Sequence, residues 1–313
     1  MSNLFEIENL GQILITGHVN PDGDALGSAL AFKLILKQKN IEADVCFDIS
    51  NSLPTNLDHL PLELVNKEAK NQYDTVYVFD CGSSERLGKY ESLALNAENI
   101  IVVDHHINPT FGTLQIIDPT AASTTQVLFR ELESDNILIT KEVANCLMTG
   151  LITDTGRFQY SNTNSEVFDI ASKLMKYGSD LTMISENIYG SVPLNAMILQ
   201  SKVLERMELF TKEKLIVSFI LQTDYKKYKI ESSEVDFLID SIRLVKESEI
   251  ALLLKEQTDG TFKGSLRSRT QVNVQEIASE FGGGGHKAAS GFSSSLEKDQ
   301  IVDNVRNAIS KQL

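Results

Sequence analysis

Three short apolar runs in the first third of the chain each hand over, at their carboxyl end, to aspartate or histidine. Ile13–Thr16 leads into Gly17-His18-Val19-Asn20-Pro21-Asp22-Gly23-Asp24, Val76–Phe79 into Asp80, and Ile100–Val103 into Asp104-His105-His106. Short runs without polar alternation read as parallel strands buried on both faces. Ala43–Phe47 reads as a further strand. Helical spacing of apolar residues marks Ala25–Gln38 (Leu26, Leu30, Leu34), and helices are expected at Ser123–Glu133, Lys141–Ile152 and Glu166–Tyr177. Strand and helix therefore alternate, which predicts an α/β fold with a doubly wound, mainly parallel sheet.

The pattern changes after about residue 190. Met207–Gln222 reads as a hairpin turning near Lys212-Glu213-Lys214. Ser232–Val245 reads as a helix, and Glu249–Glu256 and Thr261–Arg269 as strands around Asp259-Gly260. Val274–Phe281 reads as a short helix before a glycine run, and Ser295–Lys311 as the last helix. A chain of 313 residues is long for one core. The expectation is a first domain over 1–190, a helical linker over 191–206 and a smaller mixed α/β domain over 207–313, facing the first across a cleft. Gly190-Ser191-Val192-Pro193 punctuates the boundary.

In open α/β sheets, ligands bind outside the carboxyl ends of the strands. His18, Asp22, Asp24, Asp80, Asp104, His105 and His106 are thus expected around one crevice. The chain has five histidines, and three of them lie at these strand ends. A lone histidine is ordinarily a surface or core residue, which is how His59 is read. Asp154 closes an apolar helical stretch, where the negative end of the helix dipole disfavours a carboxylate and calls for a cation. Asp22, Asp24, Asp80 and Asp154 bring four negative charges, which two divalent cations cancel. Without cations, some of these carboxyls would hold protons. Mixed histidine and carboxylate ligands suit Mn²⁺, Fe²⁺, Co²⁺ or Zn²⁺ better than Mg²⁺. Two ions about 3.5–4 Å apart form the usual clamp for in-line attack on phosphorus.

Charge narrows the partners. There are 29 basic against 43 acidic residues, a net charge of −14. That sign repels long polyanions and argues against a non-specific duplex binder. Residues 263–287 reverse it locally, with Lys263, Arg267, Arg269 and Lys287 against Glu276 and Glu280. Arg267 and Arg269 alternate on a presumed strand and so share a face, and guanidinium suits bidentate phosphate contacts. Phe281-Gly282-Gly283-Gly284-Gly285-His286-Lys287 adds glycines whose N–H groups an anion can approach closely. Phe158 and Tyr160 are candidates either for base stacking or for core packing. No apolar run has membrane-span length and the N-terminal segment has no leader-like pattern. Cys46, Cys81 and Cys146 form no disulfide framework. A cytoplasmic protein without a membrane partner is expected.

These residues together resemble the DHH phosphoesterases. Gly17–Ser28 is similar to their first motif, Val78-Phe79-Asp80-Cys81 to the second, Val102–His106 to the third and Gly150–Gly156 to the fourth. The segment around His286 is similar to the DHH-associated C-terminal domain. The resemblance covers nearly the whole chain. Length and layout are most similar to the nanoRNase/pAp phosphatase branch. The exonuclease and membrane-bound branches carry extra parts absent here, and the glycine–histidine segment argues against the inorganic pyrophosphatase branch.

The resemblance implies roles. His18, Asp22 and Asp80 bind one divalent metal. Asp24, Asp80, His105 and Asp154 bind the other, with Asp80 bridging and Mn²⁺ the first choice. His106 faces the substrate phosphate, and Asp104 orients a histidine. Arg267, Arg269, Gly283, Gly284, Gly285 and His286 hold the substrate's far phosphate or nucleotide. The implied activity is hydrolysis of short single-stranded RNA to mononucleotides and of 3′-phosphoadenosine 5′-phosphate (pAp) to AMP. Hydrolysis of linear or cyclic dinucleotides such as pApA and cyclic di-AMP is an alternative within the family. A nucleotide-binding regulator without catalysis is an alternative of another class. A homodimer is a family-level expectation.

Overall fold

Three apolar runs, each buried on both sides of the pleat, form the centre of one parallel sheet, and two less apolar strands pair onto its edges. The computed structural model describes residues 4, 10–49, 53–107, 109–269 and 271–312. The N-terminal segment tested above for a leader lies outside them, apart from Leu4 and Leu10. In chain order the first elements are β1 (Ile13–Gly17), α1 (Gly23–Gln38), β2 (Asp44–Val45), β3 (Thr75–Phe79), α2 (Glu91–Leu95), β4 (Asn99–Asp104), β5 (Leu114–Ile117), α3 (Thr124–Ser134), α4 (Lys141–Asp154), α5 (Ser165–Lys176) and α6 (Leu181–Ser185). The sheet order is β2-β1-β3-β4-β5, with every pair parallel. Chain direction across the sheet reverses between β1 and β3, the switch point where such folds place ligands.

Alternate residues face opposite sides, as a period of two requires. Ile13, Ile15, Tyr77, Phe79, Ile101 and Val103 pack under α1, α3, α4 and α5. Leu14, Val76, Val78, Ile100 and Val102 face the other way, against Leu87, Tyr90 and Ala94. The strand expected over Ala43–Phe47 shrinks to Asp44–Val45. The strand β5 was not expected; Leu114–Ile117 is only partly buried and carries little apolar signal.

Helices α1 and α4 touch at glycine. A Cβ on Gly27 would lie 2.5 Å from the Cys146 carbonyl oxygen, and one on Gly23 would lie 2.5 Å from Thr153 Cγ2. Only residues without a side chain permit this approach. It matters because Asp24 rides on α1 and Asp154 on α4.

The chain divides into two units, Met1–Ser191 and Val192–Leu313. The second contains α7 (Leu194–Glu205), β6 (Glu208–Phe210), β7 (Leu215–Ile220), α8 (Gln222–Tyr228), α9 (Leu238–Ile242), β8 (Ile250–Glu256), β9 (Phe262–Ser268), α10 (Val274–Ser279), β10 (Gly284–His286), β11 (Ala289–Ser294) and α11 (Lys298–Gln312). Its mixed sheet runs β10-β11-β9-β8-β7-β6, with β7 and β8 parallel and the other pairs antiparallel. One face packs on α10 and α11, the other on α7, α8 and α9.

One local expectation fails here. Ser232–Val245 is not one helix: a 3₁₀ turn at Ser232–Val235 is followed by the short α9. The break falls at Asp236, whose carboxylate pairs with the buried ammonium of Lys255 on β8. The glycine run pairs into the sheet. Gly284–His286 forms the edge strand β10, with Gly285 opposite Ser290 and His286 opposite Ala289.

Lys255 is itself a measurable liability. Burial pulls its ammonium below the ordinary lysine range, against the opposing pull of Asp236. The unfolded chain then holds this proton to higher pH than the folded one. Its contribution to stability therefore rises as pH climbs from the depressed folded value to the ordinary one. Lys255→Met is expected to stabilise the protein at pH 7 by about 1 kcal/mol, since Asp236 is left mostly exposed rather than buried and unpaired. Urea titrations at pH 7 and pH 10 check this; a variant less stable than wild type at pH 7 contradicts it.

Candidate metal centre

The loops after β1, β3 and β4 bring the sequence-identified residues together at one end of the parallel sheet. His18 follows β1 directly. Asp22 caps α1, its Oδ1 accepting from the Asp24 and Ala25 amides at 3.0 and 3.1 Å. Asp80 ends β3 in the left-handed region, at φ +55. A non-glycine residue pays roughly 1–2 kcal/mol for that conformation, although aspartate tolerates it better than most. Such strain concentrates at functional sites. Asp104 is the last residue of β4, with His105 and His106 beyond it.

Asp80 stands between two groups. Its Oδ2 lies 3.5 Å from His18 Nε2, which is also 3.7 Å from Asp22 Oδ2. Its Oδ1 lies 3.6 Å from His105 Nε2, which is 3.3 Å from Asp154 Oδ2 and 3.9 Å from Asp24 Oδ2. Each set gathers its ligand-type atoms closely enough to surround one ion.

The donor chemistry fits metal binding. His18 Nδ1 sits 2.9 Å from the Val19 carbonyl oxygen and His105 Nδ1 sits 3.3 Å from that of Ala121. Each ring therefore donates from Nδ1 and turns Nε2 toward carboxylates, the arrangement by which backbone partners orient ligating histidines. Ligand atoms about 2.1 Å from one ion are roughly 3.0–3.4 Å from each other. The histidine–carboxylate separations, 3.3 to 3.9 Å, lie at or just beyond that range.

The electrostatics ask for positive charge. Burial pulls the His105 imidazole down, but Asp154, Asp80 and Asp24 push it up to about 11. His18 is likewise raised by Asp22 and Asp80 against its burial. Burial raises Asp154 to about 6, with Asp22 and Asp80 adding repulsion and His105 opposing. Asp24 is raised by burial, Asp154 and Asp80. Asp80 resists burial and stays far below the usual carboxylate range, because His18, His106 and His105 surround it. These shifts share one cause, a crowd of buried carboxylates that favours positive charge beside it, whether carried by a proton or by a divalent cation.

His106 is arranged differently. Its Nδ1 donates to Asp104 Oδ1 at 2.7 Å, and the same oxygen accepts the His105 and His106 amides at 2.7 and 3.1 Å. This holds the tautomer with Nε2 at the outer end of the ring. Burial lowers the His106 imidazole while Asp104 and Asp80 raise it, with a net rise.

Sequence reading missed the N-terminus of α3. The Thr124 and Thr125 amides donate to Asp24 Oδ2 and Oδ1 at 2.6 and 2.9 Å, so a carboxylate from α1 caps a helix one hundred residues away. Ser123 caps the next amide, that of Gln126. The Arg130 guanidinium grips Glu166 and Asp118, and the Asn162 amide donates to the Ala122 and Asp154 carbonyls at 3.1 and 3.0 Å. Serine and threonine before a helix are ordinary caps, so nothing in the sequence set these apart. His59 turns out to prop α4, its Nε2 lying 2.9 Å from Thr149 Oγ1. Phe158 packs beside Phe168, ring centres 5.4 Å apart.

The second unit's candidates are more dispersed. Arg267 lies on β9, with Nη1 donating to the Leu266 carbonyl and Nε 4.0 Å from Asp240. Arg269 lies one residue beyond β9, and its guanidinium donates to the Arg243 and Val245 carbonyls after α9. The expected pair of arginines on one strand is therefore one strand residue and one helix-end anchor. The Gly283 amide donates to the Ala278 carbonyl at 2.9 Å. A Cβ on Gly283 or Gly285 would collide with β11 backbone, whereas Gly284 faces open space. His286 is exposed on β10.

Family models match both units. The DHH family N-terminal domain matches residues 12–151, and the DHHA1 domain matches residues 212–311. The chain is 32% identical over 309 residues to a bifunctional oligoribonuclease and PAP phosphatase of Thermus thermophilus, covering 97% of this chain and 90% of the relative. It is 26% identical over 298 residues to a protein of the same name from Bacillus subtilis, covering 93% and 92%. A solved structure, an exopolyphosphatase-related protein from Bacteroides fragilis, superposes with a TM-score of 0.88 at 26% identity, covering 97% of this chain and 93% of that one. Among the described residues no helix is long and apolar enough to cross a membrane.

Proposed function

The chain belongs to the DHH family, and from that premise we propose that it is a two-metal phosphoesterase that hydrolyses short oligoribonucleotides to mononucleotides and pAp to AMP. The observation that carries this reading is Asp80, whose two carboxylate oxygens face two separate sets of ligand-type residues. His18, Asp22 and Asp80 would hold one ion, and Asp24, Asp80, His105 and Asp154 would hold the other. Manganese suits this mixture of imidazole and carboxylate. Bound there, two divalent cations would neutralise charge on the phosphoryl group and acidify water for its attack.

The chain's own residues do the rest. His106, held by Asp104, presents Nε2 to the phosphate and stabilises its charge or protonates the departing ribose oxygen. The left-handed turn at Asp80 and the amides of α3 keep the carboxylates in place before substrate arrives. Every residue of the metal set is present, which supports catalysis over a purely regulatory role. Residues 1–190 form the catalytic domain, 191–206 the linker and 207–313 the substrate domain. Arg267, Arg269, Gly283, Gly284, Gly285 and His286 are assigned the far phosphate or nucleotide by the family resemblance. The net charge of −14 supports a short anionic substrate over a long one.

The test is a panel with Mn²⁺: pAp, 5′-pApA, a five-nucleotide RNA, a long RNA, cyclic di-AMP and pyrophosphate. Release of AMP from pAp and of mononucleotides from the short RNAs, with the long RNA turned over far more slowly, is expected. His286→Ala should raise KM for these substrates by about tenfold or more, the loss of roughly one charge-assisted contact. Turnover of pyrophosphate alone would overturn the reading.

A further inference from the structure

Thr124 reaches three of the carboxylates at once. The residue is fully buried at the first position of α3. Its amide donates to Asp24 Oδ2 at 2.6 Å. Its hydroxyl lies 3.2 Å from Asp80 Oδ1 and 3.5 Å from Asp104 Oδ1.

A hydroxyl has one proton to give. Asp104 Oδ1 already accepts three hydrogen bonds, from the His105 amide, the His106 amide and His106 Nδ1. The geometry there leaves no good direction for a fourth donor, and the distance is longer. Asp80 Oδ1 is nearer, and the ring nitrogens beside it, His106 Nδ1 at 3.5 Å and His105 Nε2 at 3.6 Å, stand farther off than the hydroxyl. The proton therefore belongs to Asp80.

That oxygen is the one directed at His105, the side shared with Asp24 and Asp154. Asp80 has two oxygens and two jobs. Rotation about its final side-chain bond is soft, so something must fix which oxygen serves which set. His18 approaches Oδ2 on one side, and the Thr124 hydroxyl reaches Oδ1 on the other.

We propose that Thr124 is a positioning residue of the metal centre: its hydroxyl fixes Asp80 Oδ1 toward the Asp24–His105–Asp154 set, while its amide fixes Asp24 in the same set. This rests on the two-metal reading above. It follows that the two ions depend unequally on Thr124. The ion held by Asp24, His105 and Asp154 needs the hydroxyl; the ion held by His18 and Asp22 depends on it much less. Hydrogen-bond partners of ligands typically contribute about 10–100-fold to metal affinity.

The test is calorimetric and electron-paramagnetic titration of metal-stripped protein with Mn²⁺, for wild type, Thr124→Val and Thr124→Ser. Valine keeps the shape and the amide but removes the hydroxyl; serine keeps the hydroxyl. Wild type is expected to bind two ions. Thr124→Val should bind one with near-normal affinity and the other about 10–100-fold more weakly. Thr124→Ser should recover most of that loss. Melting of the metal-free proteins separates misfolding from loss of positioning. Two ions bound by Thr124→Val as by wild type would overturn the proposal and leave the two-metal reading standing. Equal weakening in the serine and valine variants would also overturn it, since the methyl group and not the hydroxyl would then matter. A wild type that binds no Mn²⁺ would overturn the metal-centre reading itself.

Discussion

Asp80→Asn is expected to lower kcat on pAp by about 10³-fold or more, roughly 4 kcal/mol of transition-state stabilisation. The substitution is nearly isosteric. Asparagine also tolerates the left-handed backbone that Asp80 adopts at φ +55, so the β3 turn should survive. What disappears is the charge and one of two anionic oxygens, which face His18 on one side and His105 on the other. Among the described residues no other carboxylate pairs with both His18 and His105. Steady-state rates on pAp, with Mn²⁺ titration of the same sample, measure the effect. A variant keeping more than a tenth of wild-type turnover would remove Asp80 from the centre of the mechanism.

The second large effect is at Gly27. An alanine methyl there would sit 2.5 Å from the Cys146 carbonyl oxygen, which belongs to the backbone of α4 and cannot swing away. Helices α1 and α4 must part. Overpacking of this kind costs about 1–3 kcal/mol. It also carries a functional consequence, because Asp24 sits in the first turn of α1 and Asp154 is the last residue of α4. Displacement of either loosens the ligand set around His105. Gly27→Ala is thus expected to lose stability in urea denaturation and to lose activity under conditions where it remains folded. Wild-type stability would show that the helices have slack the structure does not have.

The cluster of candidate metal ligands was legible in the sequence because the three strands that carry it are among the least ambiguous segments of the chain. β1, β3 and β4 are short, apolar and buried on both faces, and each ends at the residue where the polar motif begins. Strand ends in a parallel sheet converge by topology, so His18, Asp80 and His105 came together without any knowledge of contacts. Asp154 was readable for an electrostatic reason, a carboxylate at the wrong end of a helix. The structure answers it with His105 Nε2 at 3.3 Å.

The supporting layer was not legible. Thr124 and Thr125 look like any residues at a helix start, and their partner Asp24 lies a hundred positions earlier. Nothing local in a sequence reports a hydrogen bond over that distance. The second unit was less readable again. Ser232–Val245 reads as one helix, but its first turn closes as 3₁₀ and the α-helix begins only at Leu238. The glycines of β10 were readable as permissive backbone, but whether they form a loop or an edge strand depends on β11. Arg269 shows the same limit: parity gave its face, while the carbonyls after α9 decided where its guanidinium went.

Anomalous diffraction from crystals grown with Mn²⁺ shows directly whether Asp80 bridges two ions. Two manganese peaks are expected about 3.5–4 Å apart, one beside His18 and Asp22, the other beside Asp24, His105 and Asp154, with Asp80 between them. A single peak, or two peaks that do not share Asp80, would contradict it.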